Sequence, residues 1–258
     1  MTLASTWTRL QGKYQRGAAT RLFRRAFRIS SDAPVISFTF DDFPRSALYT
    51  GGAILQRHSL AGTYYGAFGL MGTSIATGDI FVREDLASLI AQGHELGCHT
   101  FSHCDSWKTA TASFARSLEE NRRSLATLVP GYEFKSFSYP ISPPRGATKR
   151  LAGSLFETCR GGGQTVNHGI ADLNYLASFF LEKSRDRIRD VKKAIDDNRA
   201  LRGWLIFSTH DVDSNPTSYG CTAEFFDEVV RYSVDSGARI LTVRDAMTFL
   251  RTKELATS

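Results

Sequence analysis

Residues 35–44 read VISFTFDDFP. Six residues suited to a buried strand, Val35 to Phe40, run into two adjacent carboxylates, Asp41 and Asp42, and Pro44 follows. Two ionised carboxylates side by side repel, so an apolar strand that ends on such a pair needs a reason. Aspartate is favoured at a helix N-cap, and a helix could begin here. A bound cation is the other reason: it removes the repulsion and lets one carboxylate ligate while its neighbour stays free to take a proton. The choice depends on what other strands bring to the same place.

Downstream of this stretch, apolar strand-like runs alternate with helical periodicity. GTYYGAF (62–68), ELGCHT (95–100), FKSFSYP (134–140), WLIFSTH (204–210) and ARILTV (238–243) read as strands. EDLASLIAQG (84–93), FARSLEENRRSLATLV (114–129), AEFFDEVVRYSVDSG (223–237) and RDAMTFLRTK (244–253) read as helices, and AILQRHSL has helical character. Such alternation predicts parallel strands with crossover helices, hence an α/β barrel or doubly wound sheet. GGGQTVNHG (161–169) and DSNPTSYG (213–220) are loops suited to the rim of a site.

Three strands end alike. VISFTF ends on Asp41-Asp42, ELGCHT on His99 with His103 four residues on, and WLIFSTH on His210-Asp211. In parallel α/β folds the carboxyl ends of strands form the site, so these side chains are expected to meet. The His99-x-x-x-His103 spacing brings two imidazoles within reach of one ion, and an aspartate completes a His₂Asp set with open positions. Cys98 and Cys104 flank the pair and raise a structural Cys/His zinc as a rival, although on a strand Cys98 points away from His99.

Composition sets outer limits. With 258 residues and 42% hydrophobic content the chain can bury a full core. No run approaches the roughly 20 apolar residues of a membrane span. The N-terminus has no apolar h-region, and the four cysteines form no CxxC pair, so a cytoplasmic setting is expected. Residues 1–30 hold seven basic residues and no acid; the other 25 basic residues are matched by 26 acidic ones. The net charge of +6 therefore sits on an N-terminal arm, residues 1–33, ahead of a near-neutral body at 34–253. Trp7, Leu10, Tyr14, Ala18 and Leu22 recur at helical steps on that arm. Such a segment could lie peripherally on an anionic membrane, or pack on the body with its arginines in solvent. No nucleic-acid-binding module follows it, so nucleic acid is not an expected partner.

These motifs together resemble the polysaccharide deacetylase family, the NodB homology domain of carbohydrate esterase family 4, over about residues 34–250. Its T-F-D-D motif is similar to Thr39-Phe40-Asp41-Asp42, and its H-[ST]-x-x-H motif to His99-Thr100-Phe101-Ser102-His103 after Gly93-His94-Glu95-Leu96-Gly97. The closing strand-to-histidine motif resembles Leu205 to His210. The resemblance implies a distorted (β/α) barrel of the NodB-homology type and a metal-dependent hydrolase. Asp41 would be the general base, Asp42, His99 and His103 the metal ligands, and His210 the general acid. Tyr139, Pro140, Ile141 and Arg160 would bind the oxyanion or substrate, Ile141 through its backbone N–H. The family's third motif, R-P-P-[FY]-G, is altered: Ser138 stands where an arginine usually supports the catalytic aspartate, which leaves Arg160 and Arg145 as candidates to replace it.

The expected reaction is removal of an N-acetyl or N-formyl group from an aminosugar in a glycan or glycan precursor. Zinc is the expected metal, with Co²⁺, Ni²⁺ or Mn²⁺ as alternatives. The basic arm and the lack of a secretion signal favour a nucleotide-linked or lipid-linked substrate at the cytoplasmic face. Two other readings stay open: an amidase for a small cyclic imide or ureide on the same fold, and an inactive carbohydrate-binding homologue.

Overall fold

The computed structural model describes residues 3–257, with side chains for residues 10–253. Helix α1 (Leu3–Arg21) and strand β1 (Ala26–Arg28) precede β2 (Val35–Phe40), α2 (Ala53–Arg57) and β3 (Thr63–Gly66). A small hairpin, β4 (Ser74–Ile75) and β5 (Gly78–Asp79), leads to α3 (Arg83–Ala91), β6 (Glu95–Cys98), α4 (Thr111–Leu128) and β7 (Ser136–Ser138). Then come α5 (Gly146–Leu155), β8 (Thr158–Arg160), β9 (Ile170–Asp172), β10 (Phe179–Phe180) and α6 (Ile188–Leu201). The chain closes with β11 (Trp204–Thr209), β12 (Val212–Asp213), β13 (Cys221–Thr222), α7 (Ala223–Asp235), β14 (Arg239–Ile240) and α8 (Val243–Thr257).

Eight of these strands form one parallel sheet in the order β10-β11-β2-β3-β6-β7-β8, with β14 added beside β2. The sheet curls into the incomplete, distorted (β/α) barrel of the NodB-homology type. Strands β2 and β11 are buried at every residue, as expected of central parallel strands covered on both faces. Helix α4 buries Phe114, Leu118, Asn121 and Leu125, whose three- and four-residue steps mark one face.

Register decides what meets at the top of the barrel. Thr209 lies opposite Phe40, so β2 and β11 end level and Asp41 and His210 emerge as neighbours. Cys98 lies opposite Phe137, and Ser138 opposite Arg160, which carries His99, Ser138 and Arg160 to the same rim.

Below the rim, Glu95 accepts from Thr63 Oγ1 (2.8 Å), Ser136 Oγ (2.6 Å) and the Arg244 N–H (2.9 Å). It ties three strands to the start of α8, and burial pushes its carboxyl up. His94 accepts the Gly62 N–H on Nδ1 (3.0 Å), and burial pushes its imidazole down to about 4. Both residues serve the scaffold, and neither lines the cavity at the carboxyl end of the sheet.

The N-terminal arm is knitted to this scaffold. Buried Lys149 donates to the Ala19 and Leu22 carbonyls at the end of α1 (2.6 and 2.7 Å) and to Asp172 Oδ2 (2.6 Å). A cation there also complements the negative end of the helix dipole. Arg25 donates to the Gly153, Phe156 and Glu157 carbonyls, and β1 pairs antiparallel with β9. The face that packs is not the apolar stripe read from the sequence. Ala19 is 1% exposed, whereas Leu10 is 55% and Tyr14 69% exposed. Small Ala18 and Ala19 allow close approach and Lys149 fixes the helix end, so hydrogen bonding outweighs the stripe. The Trp7 side chain lies outside the described residues.

Candidate active site

Asp42, His99 and His103 converge at the carboxyl end of the sheet. Asp42 Oδ1 lies 3.5 Å from His99 Nε2 and 3.1 Å from His103 Nε2. Facing ligand atoms of all three fall within 4.8 Å of one another. His99 donates from Nδ1 to the Ser138 carbonyl (2.8 Å), which leaves Nε2 bare and pointed at the carboxylate. Burial pushes the His99 imidazole down to about 4, so it is neutral near pH 7. A bare nitrogen facing a carboxylate oxygen is two acceptors opposed. Asp42 Oδ1 is buried and has no donor among the described residues, while Oδ2 accepts from Thr77 Oγ1 (3.0 Å). A divalent cation resolves both oddities, and the donor set suits zinc or a neighbouring transition metal. Neither Cys98 nor Cys104 shares the site. Cys98 is turned into the core and receives Asn121 Nδ2 at 3.3 Å; Cys104 contacts Ser102 Oγ.

The second aspartate is held apart from this cluster. Asp41 Oδ1 accepts from Ser138 Oγ (2.9 Å) and from Arg160, and Oδ2 accepts from Ser208 Oγ (3.2 Å). Arg160 also donates to Ser138 Oγ (2.7 Å), which closes a three-residue ring. Burial by itself would raise the Asp41 pKa, but the Arg160 guanidinium, with His99 and His210 nearby, holds it well below the usual carboxylate range. The support that motif three usually supplies thus comes from the end of β8, one strand further on. Arg145 is not involved; it donates to the Thr109 carbonyl and Thr111 Oγ1.

His210 stands across from the triad, its Nε2 4.0 Å from Asp42 Oδ2. Its Nδ1 lies 3.2 Å from the Tyr219 carbonyl, which fixes the tautomer with Nε2 facing the cavity. Asp211 plays no part in this, because both its oxygens are taken by Thr217. Ile141 lies on the wall, 67% exposed, and its N–H has no acceptor among the described residues. Tyr139 is wall packing, its hydroxyl spent on the Asn174 carbonyl (3.0 Å). Pro140 does not reach the wall. It is buried, and its carbonyl accepts from Ser106 and Ser142. His168 is exposed and outside the cavity.

Backbone conformation marks the same place. Asp42, Phe43, Thr100, His103 and Ile141 all have φ between 48° and 61°, the left-handed region that non-glycine residues avoid. Each sits just past a barrel strand, where the chain must turn sharply to aim its side chain or amide inward. Strain of this kind collects at functional sites.

The cavity that receives these groups has a volume of about 790 Å³. Thr77, Tyr175, Phe180, Lys183, Tyr219 and Arg16 also line it, and none was singled out from the sequence. Thr77 comes from the β4–β5 turn, where no local pattern announces a role, whereas Tyr219 belongs to the 213–220 loop read from its composition as a site rim. The glycines at 161–163 line the wall because larger residues would collide with Tyr175, Phe180 and Ala177.

The polysaccharide deacetylase family model matches residues 28–155. No curated protein matches the chain. Among solved structures the chain resembles a chitin deacetylase from the fungus Colletotrichum lindemuthianum, at 16% identity and a TM-score of 0.57, covering 84% of this chain and 89% of that one. It also resembles a family 4 acetyl xylan esterase from Clostridium thermocellum in complex with a cobalt ion (17% identity, TM-score 0.57, 83% and 91% covered). A third likeness is BA3943, a family 4 pseudoenzyme from Bacillus anthracis (12% identity, TM-score 0.57, 86% and 68% covered). The first two motifs lie inside the segment that matches the polysaccharide deacetylase family, and the barrel is built like those of these carbohydrate esterase family 4 structures.

Proposed function

We propose that the chain is a metal-dependent hydrolase that removes an N-acetyl or N-formyl group from an aminosugar. The observation that carries this reading is the buried, donorless Asp42 Oδ1 facing two imidazole nitrogens, with a separately anchored Asp41 beside it. Asp42, His99 and His103 would hold the ion, zinc by their chemistry. Bound there, it supplies Lewis acidity for the acyl carbonyl and for the attacking water. Asp41 takes the proton of that water. The Ile141 N–H donates to the oxyanion as it forms, a contact of a type worth about 3 kcal/mol of barrier. His210, as the imidazolium whose Nδ1–H is held by the Tyr219 carbonyl, gives its Nε2 proton to the departing amine as the C–N bond breaks. The acetyl xylan esterase structure with cobalt supports a metal in this family, and the chitin deacetylase supports N-acyl chemistry on a sugar.

The test is acyl release by full-length protein, stripped with chelator and reloaded in turn with Zn²⁺, Co²⁺, Ni²⁺ and Mn²⁺. Acetate or formate should appear from N-acylated aminosugars and not from the metal-free protein. Hydrolysis of a cyclic imide or ureide instead would replace this reading with the amidase. Sugar binding with no hydrolysis under any metal would make the chain an inactive homologue, as BA3943 is described.

The same reading places the protein peripherally at the inner face of a membrane. The outward side of α1 supports it, since Leu10, Tyr14, Leu22 and Phe23 are exposed beside basic residues. Among the described residues no helix is long and apolar enough to cross a membrane. Deleting the arm would take the Ala19 and Leu22 carbonyls away from buried Lys149 and the Arg25 N–H away from Asp172, so point changes are the better probe. Full-length protein should float with vesicles rich in anionic lipid, and Leu10→Glu/Tyr14→Glu should abolish this. Equal flotation by both proteins would remove the membrane contact.

A further inference from the structure

Most charged groups on the cavity wall are already committed: Asp41 with Arg160, and Asp42 with the histidines. Arg16 of α1 and Lys183, just beyond β10, are the two that are not. Both are cations, and neither forms an ion pair with a described carboxylate.

They line the same cavity. Lys183 Nζ lies 4.1 Å above the Phe180 ring. Arg16 and Tyr175 face that cavity too. Tyr175 and Phe180 both line it, packed against Gly161 and Gly162 in turn. Nor is Arg16 there by a loose contact, since Lys149, Arg25 and the β1–β9 pairing clamp the end of its arm to the barrel.

We propose that the sugar substrate carries a phosphoryl group bound by Arg16 and Lys183, so that the N-terminal arm completes the active site and sets its specificity. This rests on the acyl-sugar reading above. A phosphate monoester carries roughly −1.5 to −2 charge near neutral pH, which matches two free cations. A single carboxylate would leave one unmatched. The guanidinium fork suits phosphate oxygens, and the lysine adds a point charge. At about 790 Å³ the cavity has room for a sugar ring and such a substituent. A free sugar phosphate, a nucleoside diphosphate sugar and a lipid diphosphate sugar share this chemistry.

The experiment gives zinc-loaded, full-length protein four substrates: N-acetylglucosamine, its 1-phosphate, its nucleoside diphosphate form, and a short-chain polyprenyl diphosphate form in detergent. At least one phosphorylated form should exceed the neutral sugar by roughly tenfold in kcat/KM, mainly through KM, and salt should erode the advantage. Arg16→Glu and Lys183→Glu should each collapse that ratio, and Arg16→Gln should do so in part. Whichever phosphorylated form leads identifies the source. In parallel, calorimetry on an Asp41→Asn background should show the phosphorylated sugar binding roughly tenfold more weakly once Arg16→Glu is added. Equal kcat/KM for neutral and phosphorylated sugars, or equal Kd with and without Arg16→Glu, overturns the proposal. Intact, arginine-dependent binding with no acyl release from any sugar would sink the deacylase reading and leave phosphate recognition standing.

Discussion

Asp41→Asn should lower acyl release by roughly 10²–10⁴-fold while the protein still takes up zinc. The substitution is mild in shape. The asparagine oxygen can keep accepting from Ser138 and Arg160, where Asp41 Oδ1 does now, and its NH₂ can donate to Ser208 Oγ, where Oδ2 now accepts. The capacity to take a proton is removed, and with it the charge opposite Arg160, so turnover is compared on samples shown to be folded. Asp42→Ala is the matched opposite, because it deletes the oxygen that faces both imidazole nitrogens and should abolish metal uptake along with turnover. Metal analysis and acyl release on the same samples separate the two roles. An Asp41→Asn protein that loses its zinc would make Asp41 a ligand, and one within tenfold of wild type would move the base elsewhere.

That division of labour was partly legible in ten residues. A strand-like run that stops on two carboxylates points to a cation or a helix N-cap, and the H-x-x-x-H and strand-His endings favoured the cation. Those signals are local, since each spans one strand end. What holds Asp41 is not local. Ser138 and Arg160 are 22 residues apart and meet only because β7 and β8 pair in one register. The sequence left Arg145 equally open, and a three-residue strand such as β8 is too short for periodicity to announce. Ser208 sits in plain view inside WLIFST, yet nothing in a buried strand says that its hydroxyl reaches a neighbour's carboxylate. Thr77 arrives from a turn, and Tyr219 from the 213–220 loop, whose composition marks a rim but not which residue faces inward.

The arm shows the opposite error. Its apolar stripe was visible, but which face packs was settled by Lys149, 127 residues beyond Leu22. Helix α6 drew no expectation, although Val191, Ala194, Ile195 and Asn198 lie on one buried face; its many charges thinned the pattern. Pro140 was counted with the substrate residues because the stretch resembling the family's third motif runs through it. In a sharp turn adjacent residues face different ways, and its carbonyl is spent on Ser106.

Arg160→Met should destabilise the metal-free protein by about 3–5 kcal/mol, the usual effect of stripping one partner from a buried ion pair. Arg160 and Asp41 are 2% and 6% exposed, so little water is at hand to take the place of the guanidinium. The pH dependence gives the mechanism away. In the wild type the folded Asp41 pKa lies below its ordinary value of 3.8, so the pair's contribution is full above that value and is lost as pH falls through the lower one. Without Arg160, burial is the dominant influence and lifts the carboxyl above 3.8. The folded state then binds the extra proton, and acidification relieves the penalty. The gap between variant and wild type in denaturant unfolding should therefore narrow from about pH 7 to about pH 4.5. Taking the difference between the two proteins subtracts the contributions of His94 and His99, both of which burial holds at about 4. Adding Asp41→Asn to Arg160→Met should recover part of the loss, since no buried charge is then left alone. A gap that stays constant with pH, or a double variant no better than the single one, would show that Arg160 acts on stability through packing and not through Asp41.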